Sequence, residues 1–388
     1  MAKKLTKRPN RLLDKVIVTA KHRARKDISQ WRMALTQAEN PENPKRFYLL
    51  NIYDEITLDA HLSGQMQKRR QALVSRQYNL VDSKGKISDK TQLLQKPWFS
   101  YLLGQLVDTI FFGHSLIQIE QIENGEITDI RLIDRRHIVP ERKLFLKSPL
   151  DDKGIDYTQP KYEKWLIEIN YQSPEYLGLL NKAVPHVLYK RFAQAAWSEF
   201  TEIFGMPLRF AKTNTKDAES LNRMEQMLYQ MGTAGYGVID KDEELIFIES
   251  AKSNGEIYQG LINLCNNEVS KLINGAVIGE ASKDGSRAKE QVGLQIGQEI
   301  ASADLEFAEN YINHYLLPKL IKLGYPLAGL QFVFEKERDI NKLWNITQGI
   351  LNYYEVDPQF IKETFGIPVT GIKQQSPTLK AKPDDFFD

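Results

Sequence analysis

The chain has 388 residues, enough for a substantial core, and its 42% hydrophobic and 26% charged content are those of an ordinary globular protein. One cysteine, Cys265, excludes an internal disulfide framework and any multi-cysteine metal site. The net charge of +2 hides an asymmetry: residues 1–26 carry ten Lys/Arg and one acid, a local +9, while the remainder carries 42 basic and 49 acidic residues, a net −7.

The basic start has no apolar run behind it, so it does not read as a secretory signal. No stretch approaches the ~20 apolar residues of a membrane helix. A reducing cytoplasm is the expected setting for synthesis. The arm suits either a solvated tail or contact with nucleic acid or an acidic surface, because binding driven by counterion release needs charge and no motif. Residues 37–46 read as a linker with two Asn/Pro-type breakers, and the folded body is expected to begin near Phe47.

Residues 53–76 carry a helical, polar-rich pattern, followed by a strand at Tyr78-Asn79-Leu80-Val81. A helix is predicted from Thr91 to Phe112, punctuated by Pro97 and stopped by Gly113. Alternation from Ser115 to Ile122, the turn Asn124-Gly125 and the run Ile127–Ile133 predict a β-hairpin. Residues 148–161 read as a loop and 165–170 as further strand.

The spacing of Val184, Leu188 and Phe192 predicts a long helix over 179–204, kinked by Pro185 and stopped by Gly205 and Pro207. A small module follows: a strand at 208–210, a helix over 215–229, and strands at 235–239 and 245–248. A helix over 256–274 is expected to turn Ile257, Leu261, Leu264, Leu272 and Ile273 inward. Residues 279–290 are short and charged, which is loop chemistry. A helix over 292–323 follows, with Val292, Ile296, Ile300, Ala303, Phe307, Tyr311 and Tyr315 on one stripe and Pro318 bending its last turn. At 1.5 Å per residue it would span roughly 48 Å, too long for one compact core. A strand at 330–334, a helix over 341–355 and an Asp357-capped helix over 357–366 complete the pattern, and residues 371–388 read as a disordered tail.

Catalytic signals are weak. The glycine run Gly232–Gly237 lies between a helix and a strand, the reverse of the order a phosphate-cradling loop needs. Asp134-Arg135-Arg136-His137 reads as a solvated turn. The six histidines are scattered, with no pair at i, i+4, which offers no metal site. Cys265 sits among apolar helix positions and reads as buried and inert. The expectation is no enzyme, no cofactor and no metal.

The run Gly178-Leu179-Leu180, Tyr189-Lys190-Arg191-Phe192-Ala193 and Trp197-Ser198-Glu199-Phe200-Thr201-Glu202-Ile203-Phe204-Gly205-Met206-Pro207-Leu208 resembles the portal proteins of tailed phages, particularly the Mu-like branch. Asp59-Ala60-His61-Leu62 through Arg69-Arg70-Gln71-Ala72-Leu73, the Asn274-Gly275 to Gly279 exit, and Glu309-Asn310-Tyr311-Ile312 to Leu317-Pro318 resemble the family in the same order. The resemblance covers roughly residues 53–370.

It implies an α+β ring subunit. Residues 1–46 would be a basic arm and linker, 47–178 a wing, 179–204 and 253–278 paired stem helices, and 205–252 a clip. Residues 279–290 would be a tunnel loop, 291–323 a wing spine, 324–370 a C-terminal wing or short crown, and 371–388 a tail. By the same resemblance, Lys283, Arg287 and Lys289 would face double-stranded DNA in the channel of a dodecameric ring at one capsid vertex. Lys212, Lys216 and Tyr229, chosen for lying in the projecting clip, would meet the terminase large subunit and later the neck or adaptor proteins. Capsid and scaffold proteins would be further partners, with no membrane involved. Two other readings stay open: a monomeric or dimeric nucleic-acid-binding protein acting through its basic arm, and an enzyme of unrecognised family.

Overall fold

The computed structural model of the chain describes residues 27–204, 209–230, 236–243, 255–277, 287–335, 340–351, 353–354 and 356–368. The described body begins at Asp27, ahead of the expected start at Phe47. Asp27 starts helix α1 (Ile28–Ala38): its carboxylate accepts from the Gln30 amide at 2.8 Å while Gln30 accepts from the Asp27 amide, a reciprocal cap that answers two orphan donors. Ala34 and Ala38 are buried, and Trp31 Nε1 donates to Asn181 Oδ1 at 2.9 Å.

The pattern over 53–76 is two helices, α2 (Phe47–Ile56) and α3 (Ala60–Val74). Asp59 makes the break: its backbone is extended and its carboxylate accepts from the Leu62 amide at 2.9 Å, so it caps a new helix instead of continuing the old one. Strand β1 (Tyr78–Val81) follows. Pro97 opens α4 (Pro97–Phe112) rather than punctuating a longer helix, because its missing N–H costs nothing in a first turn. Thr91 belongs to a separate 3₁₀ turn.

Strands β2 (His114–Glu123) and β3 (Glu126–Leu132) form the expected hairpin, with positive φ at Asn124 (52°) and Gly125 (88°). The short strands β4 (Ile138–Val139), β5 (Leu144–Phe145) and β6 (Ile155–Asp156) make an antiparallel sheet of their own. A one-turn helix, α5 (Pro160–Glu163), leads to β7 (Leu166–Asn170), which pairs with β2 to give the order β3-β2-β7. Leu116, Ile133, Ile138, Phe145, Tyr157, Tyr162 and Leu166 form a small second core beneath these strands.

The long rods follow. Helix α6 (Leu179–Phe204) holds Pro185 within its first turns. Then come β8 (Arg209–Thr213), α7 (Ala218–Gln230), β9 (Tyr236–Asp240) and α8 (Glu256–Asn274). The expected strand 245–248 lies outside the described residues. Helix α9 (Arg287–Tyr311) continues through a π-helical turn, Ile312–Leu316, into α10 (Leu317–Lys322). At that turn the Leu317 amide bonds the Ile312 carbonyl, one residue further back than an α-helix allows. Pro318 has no N–H for the His314 carbonyl and its ring would crowd it, so the turn widens instead of kinking sharply.

Strand β10 (Gln331–Phe334) returns to pair antiparallel with β1, Leu80 opposite Phe332. Its other edge meets side chains. Asn313 Nδ2 donates to the Phe332 carbonyl at 2.9 Å, Asn313 Oδ1 accepts from the Phe332 amide at 2.7 Å, and Glu309 Oε1 accepts from the Phe334 amide. The main core gathers Tyr53, Phe99, Phe111, Ile117, Val184, Leu188, Leu320 and Phe332 from α2, α4, β2, α6, α10 and β10.

A second unit starts at Glu335. Within it, α11 (Ile340–Ile350) and α12 (Pro358–Phe365) meet through Trp344 against Phe365, and Asp357 caps α12 as its sequence predicts.

Candidate functional site

Helices α6 and α8 run antiparallel as a pair. The Phe200 and Tyr258 rings sit 5.9 Å apart near one end, Gly255 lies against the Trp197 indole, and Cys265 lies against the Lys190 backbone further along. Burial raises the Cys265 thiol above its ordinary pKa, keeping it neutral.

The pair carries a small module between its chain ends. Strands β8 and β9 pair in parallel, from Arg209 opposite Tyr236 to Thr213 opposite Asp240. Parallel neighbours need a crossover, and α7 supplies it, packing on both strands with Leu228 buried. Asp240 locks the open end. It accepts from Thr215 Oγ1 at 2.6 Å, from the Thr215 amide at 3.0 Å and from the Asp242 amide at 3.1 Å. The Thr215 hydroxyl and these amides hold its carboxyl down at about 2.

The other end of the pair is clamped into the body by polar groups. Lys190 on α6 pairs with Asp59 at 2.8 Å, both buried, and Arg191 pairs with Glu55 at 2.8 Å. His61 Nε2 lies 2.8 Å from Ser270 Oγ and 3.0 Å from the Asn266 carbonyl on α8. Asn274 Nδ2 donates to Gln65 Oε1 at 2.6 Å. Arg69 joins three helices: its guanidinium grips Asp304 on α9 through two bonds of 2.7 and 2.8 Å and donates to the Ile273 carbonyl at the end of α8 at 2.7 Å. A cation there answers both a carboxylate and the negative end of a helix.

These clamps explain a departure from the sequence pattern. On α8, Cys265, Val269 and Ile273 are the buried row, while Ile257, Leu261 and Leu264 are exposed, contrary to the inward expectation. The apolar spacing runs two faces together into one inward set, and α6 and α3 cover only one of them. On α9 and its extension, Asp304, Ala308, Tyr311 and Ile312 face inward, while Val292, Ala303 and Tyr315 of the expected stripe are exposed.

The sequence-predicted site residues fall as follows. Lys283 lies outside the described residues. Arg287 and Lys289 belong to the first turn of α9, not to a loop. Lys212 is exposed on β8, Lys216 is exposed in the turn after it, and Tyr229 is 74% exposed near the end of α7. All three lie in the module, and no hydrogen bond or ion pair joins them. The basic arm, residues 1–26, and most of the glycine run lie outside the described residues. The root residues Asp59, His61, Gln65 and Asp304 were not singled out as a site, since their partners are more than a hundred positions away.

The 134–137 turn is more than a solvated bend. Arg135 is wedged in, donating to the His114 carbonyl at 2.8 Å and Ser115 Oγ at 2.7 Å, with its guanidinium 4.4 Å from the Phe112 ring centre; burial draws its pKa to about 10. His137 is buried and bonds the Leu146 carbonyl. Asp134, Arg135 and Arg136 line a pocket of about 260 Å³ with Leu50, Asp54, Phe112 and Leu132. Arg136 closes on Asp134, and no nucleophile–base pair is aimed into the pocket. Among the described residues no three potential metal ligands cluster, and no helix is long and apolar enough to cross a membrane.

The geometry defines an α+β chain with a helical stalk rooted in its body and a small parallel β–α–β module on that stalk. The family described as the portal protein of Mu bacteriophage matches residues 50–367, and the chain belongs to that family. The portal protein of Escherichia phage Mu is 22% identical over 345 residues, 81% of this chain and 66% of the relative. Mu-like prophage FluMu protein gp29 of Haemophilus influenzae is 22% identical over 272 residues, 64% of this chain and 51% of the relative. The chain thus spans between half and two thirds of the length of these relatives. An HK97 family phage portal protein from Corynebacterium diphtheriae aligns in structure with a TM-score of 0.43 and 13% identity, over 78% of this chain and 97% of its own.

Proposed function

We propose that this chain is a portal subunit: one copy of a ring at a capsid vertex through which double-stranded DNA enters during packaging and leaves during ejection. The observation that carries this reading is the family match over residues 50–367, which spans the stalk, its module and its root together. In this reading α6 and α8 form the stem, β8-α7-β9 with its exposed Lys212, Lys216 and Tyr229 docks the terminase and then the neck proteins, and α9 is the spine. The chain contributes no catalysis, so the motor supplies the work.

The charge distribution supports it. A body of net −7 suits a channel that DNA must slide through, because phosphate contacts with many cations would hold the duplex. Lys283, Arg287 and Lys289 would touch the backbone transiently from the 279–290 segment and the first turn of α9. The number of copies is expected to be twelve, with assembly in the host cytoplasm and capsid and scaffold proteins as neighbours.

The test is the solution mass of the purified full chain, with negative-stain imaging of the heaviest species. Rings with a central hole support the reading, and a chain that stays monomeric at high concentration with and without scaffold removes it. For the channel role, Lys283, Arg287 and Lys289 are replaced together by Ala. Rings that form but package or retain less DNA are expected, and normal packaging would sink the DNA-contact assignment.

A further inference from the structure

The exposed face of α8 holds three apolar side chains and a glycine. Ile257 (71% exposed), Leu261 (40%) and Leu264 (57%) lie at i, i+4 and i+7. Gly260 sits among them at i+3, on the same face. Among the described residues nothing lies within 4 Å of where its Cβ would be, so none of them requires a glycine there. A glycine inside a helix costs stability relative to alanine. From Ile257 to Asn267 there is no charged residue, in a chain whose charged content is 26%. The face is therefore an apolar ridge with a notch, left uncovered by the described residues, and uncharged in a way that suits neither open water nor a phosphate backbone.

The other rod of the stalk offers a counterpart. Because α6 and α8 run antiparallel with Phe200 beside Tyr258 and Lys190 beside Cys265, the stretch of α6 level with the ridge is about residues 191–201. Its exposed positions there include Ala195 and Ser198, a low shelf edged by Glu199 and, one turn on, Glu202. The exposed amides Gln259 and Asn263 beside the ridge are donors suited to those carboxylates. A closed ring joins two different patches at the same height along its axis, and ridge and shelf stand at the same height on the two helices of one stalk.

We propose that the Ile257–Leu264 face of α8 packs on the Ala195–Ser198 face of α6 in a second copy of this chain, with Gly260 the point of closest helix approach. The inference rests on the ring reading and names its contact. Gly260→Ala is the discriminating variant, because the two consequences have opposite signs: the dissociated chain should melt at a higher temperature, and the assembly should weaken.

Sedimentation velocity of the full chain over a concentration series reads the assembly midpoint. Gly260→Leu should raise that midpoint about tenfold or more, an interface effect of ordinary hot-spot size. Met33→Glu, an exposed apolar site on α1, should leave it unchanged. Oxidation of the double variant Ala195→Cys with Leu261→Cys should give a ladder of cross-linked oligomers that neither single variant gives. Rings from wild type and Gly260→Leu at the same concentration would overturn the contact and leave the ring reading standing. Cross-linking by Leu261→Cys alone would overturn it in favour of α8 against α8. A wild-type chain that never assembles removes the ring reading, and the contact with it.

Discussion

Arg69 holds the densest set of obligations of any side chain at the stalk root. It is buried, its guanidinium is bidentate on Asp304, and it caps the Ile273 carbonyl. Removing one partner leaves a charge in the interior with nothing to answer it. Asp304→Ala should therefore cost about 3–5 kcal/mol, far more than loss of an exposed pair such as Lys271–Glu268. Urea denaturation of the two variants side by side checks this, and equal midpoints would refute it. Asp240 gives the pH counterpart. Its folded pKa is depressed to about 2 from the ordinary 3.8, so its contribution is present above about pH 4 and is lost as pH falls through about 2. Hydrogen exchange at the Thr215 and Asp242 amides, corrected for intrinsic rate, should be faster in Asp240→Asn than in wild type at pH 6, and the two should converge near pH 2. At this scale the sequence was legible where a residue acts locally, as Asp357 does in capping α12, and opaque where it acts at a distance. Nothing near Arg69 announces Asp304, which is 235 positions away.

Helix ends decide how the elements meet. Gly275 closes α8 with φ of 75°, and a Cβ there would come within 2.7 Å of both Ile296 and Ile300 on α9. Gly275→Ala thus combines a left-handed backbone with a clash between two rods. It should cost about 1–3 kcal/mol, read as a lowered melting temperature, with Gly64→Ala on α3 as a control that meets nothing within 4 Å. The same scale explains what pattern reading achieved. Asn124-Gly125 announced its hairpin because the turn chemistry is complete within two residues. The break between α2 and α3 was hidden, since Asp59 fits a polar helix surface as well as a cap. The ribbon of β1 and β10 could not be read at all: each strand is legible alone, and only the tertiary fold pairs them. The two-faced character of α8 was hidden because periodicity shows that a face is apolar and not which chain covers it.

In the whole molecule, charge is divided unevenly along the chain. The +9 arm of residues 1–26 precedes the first described helix, and the body behind it is acidic. If the arm is an accessory to a ring built from the stalk and its body, deleting residues 1–26 should leave the assembly midpoint within about a factor of three while lowering salt-sensitive DNA affinity. Loss of both together would favour the arm-driven nucleic-acid reading instead. Two polar contacts, Lys190 with Asp59 and Arg69 with the Ile273 carbonyl, fix the stalk to the body at different points. A load along the stalk would then be shared between them.

The β10 edge bears on how the chain keeps other polypeptides from pairing with it. The Asn313 amide takes both hydrogen bonds of Phe332 that face away from β1, and Glu309 takes the next amide along. An unanswered edge is a template on which another polypeptide can zip itself into place. The side chains around the π turn sheathe this part of the edge, so a strand from another chain finds these groups already answered.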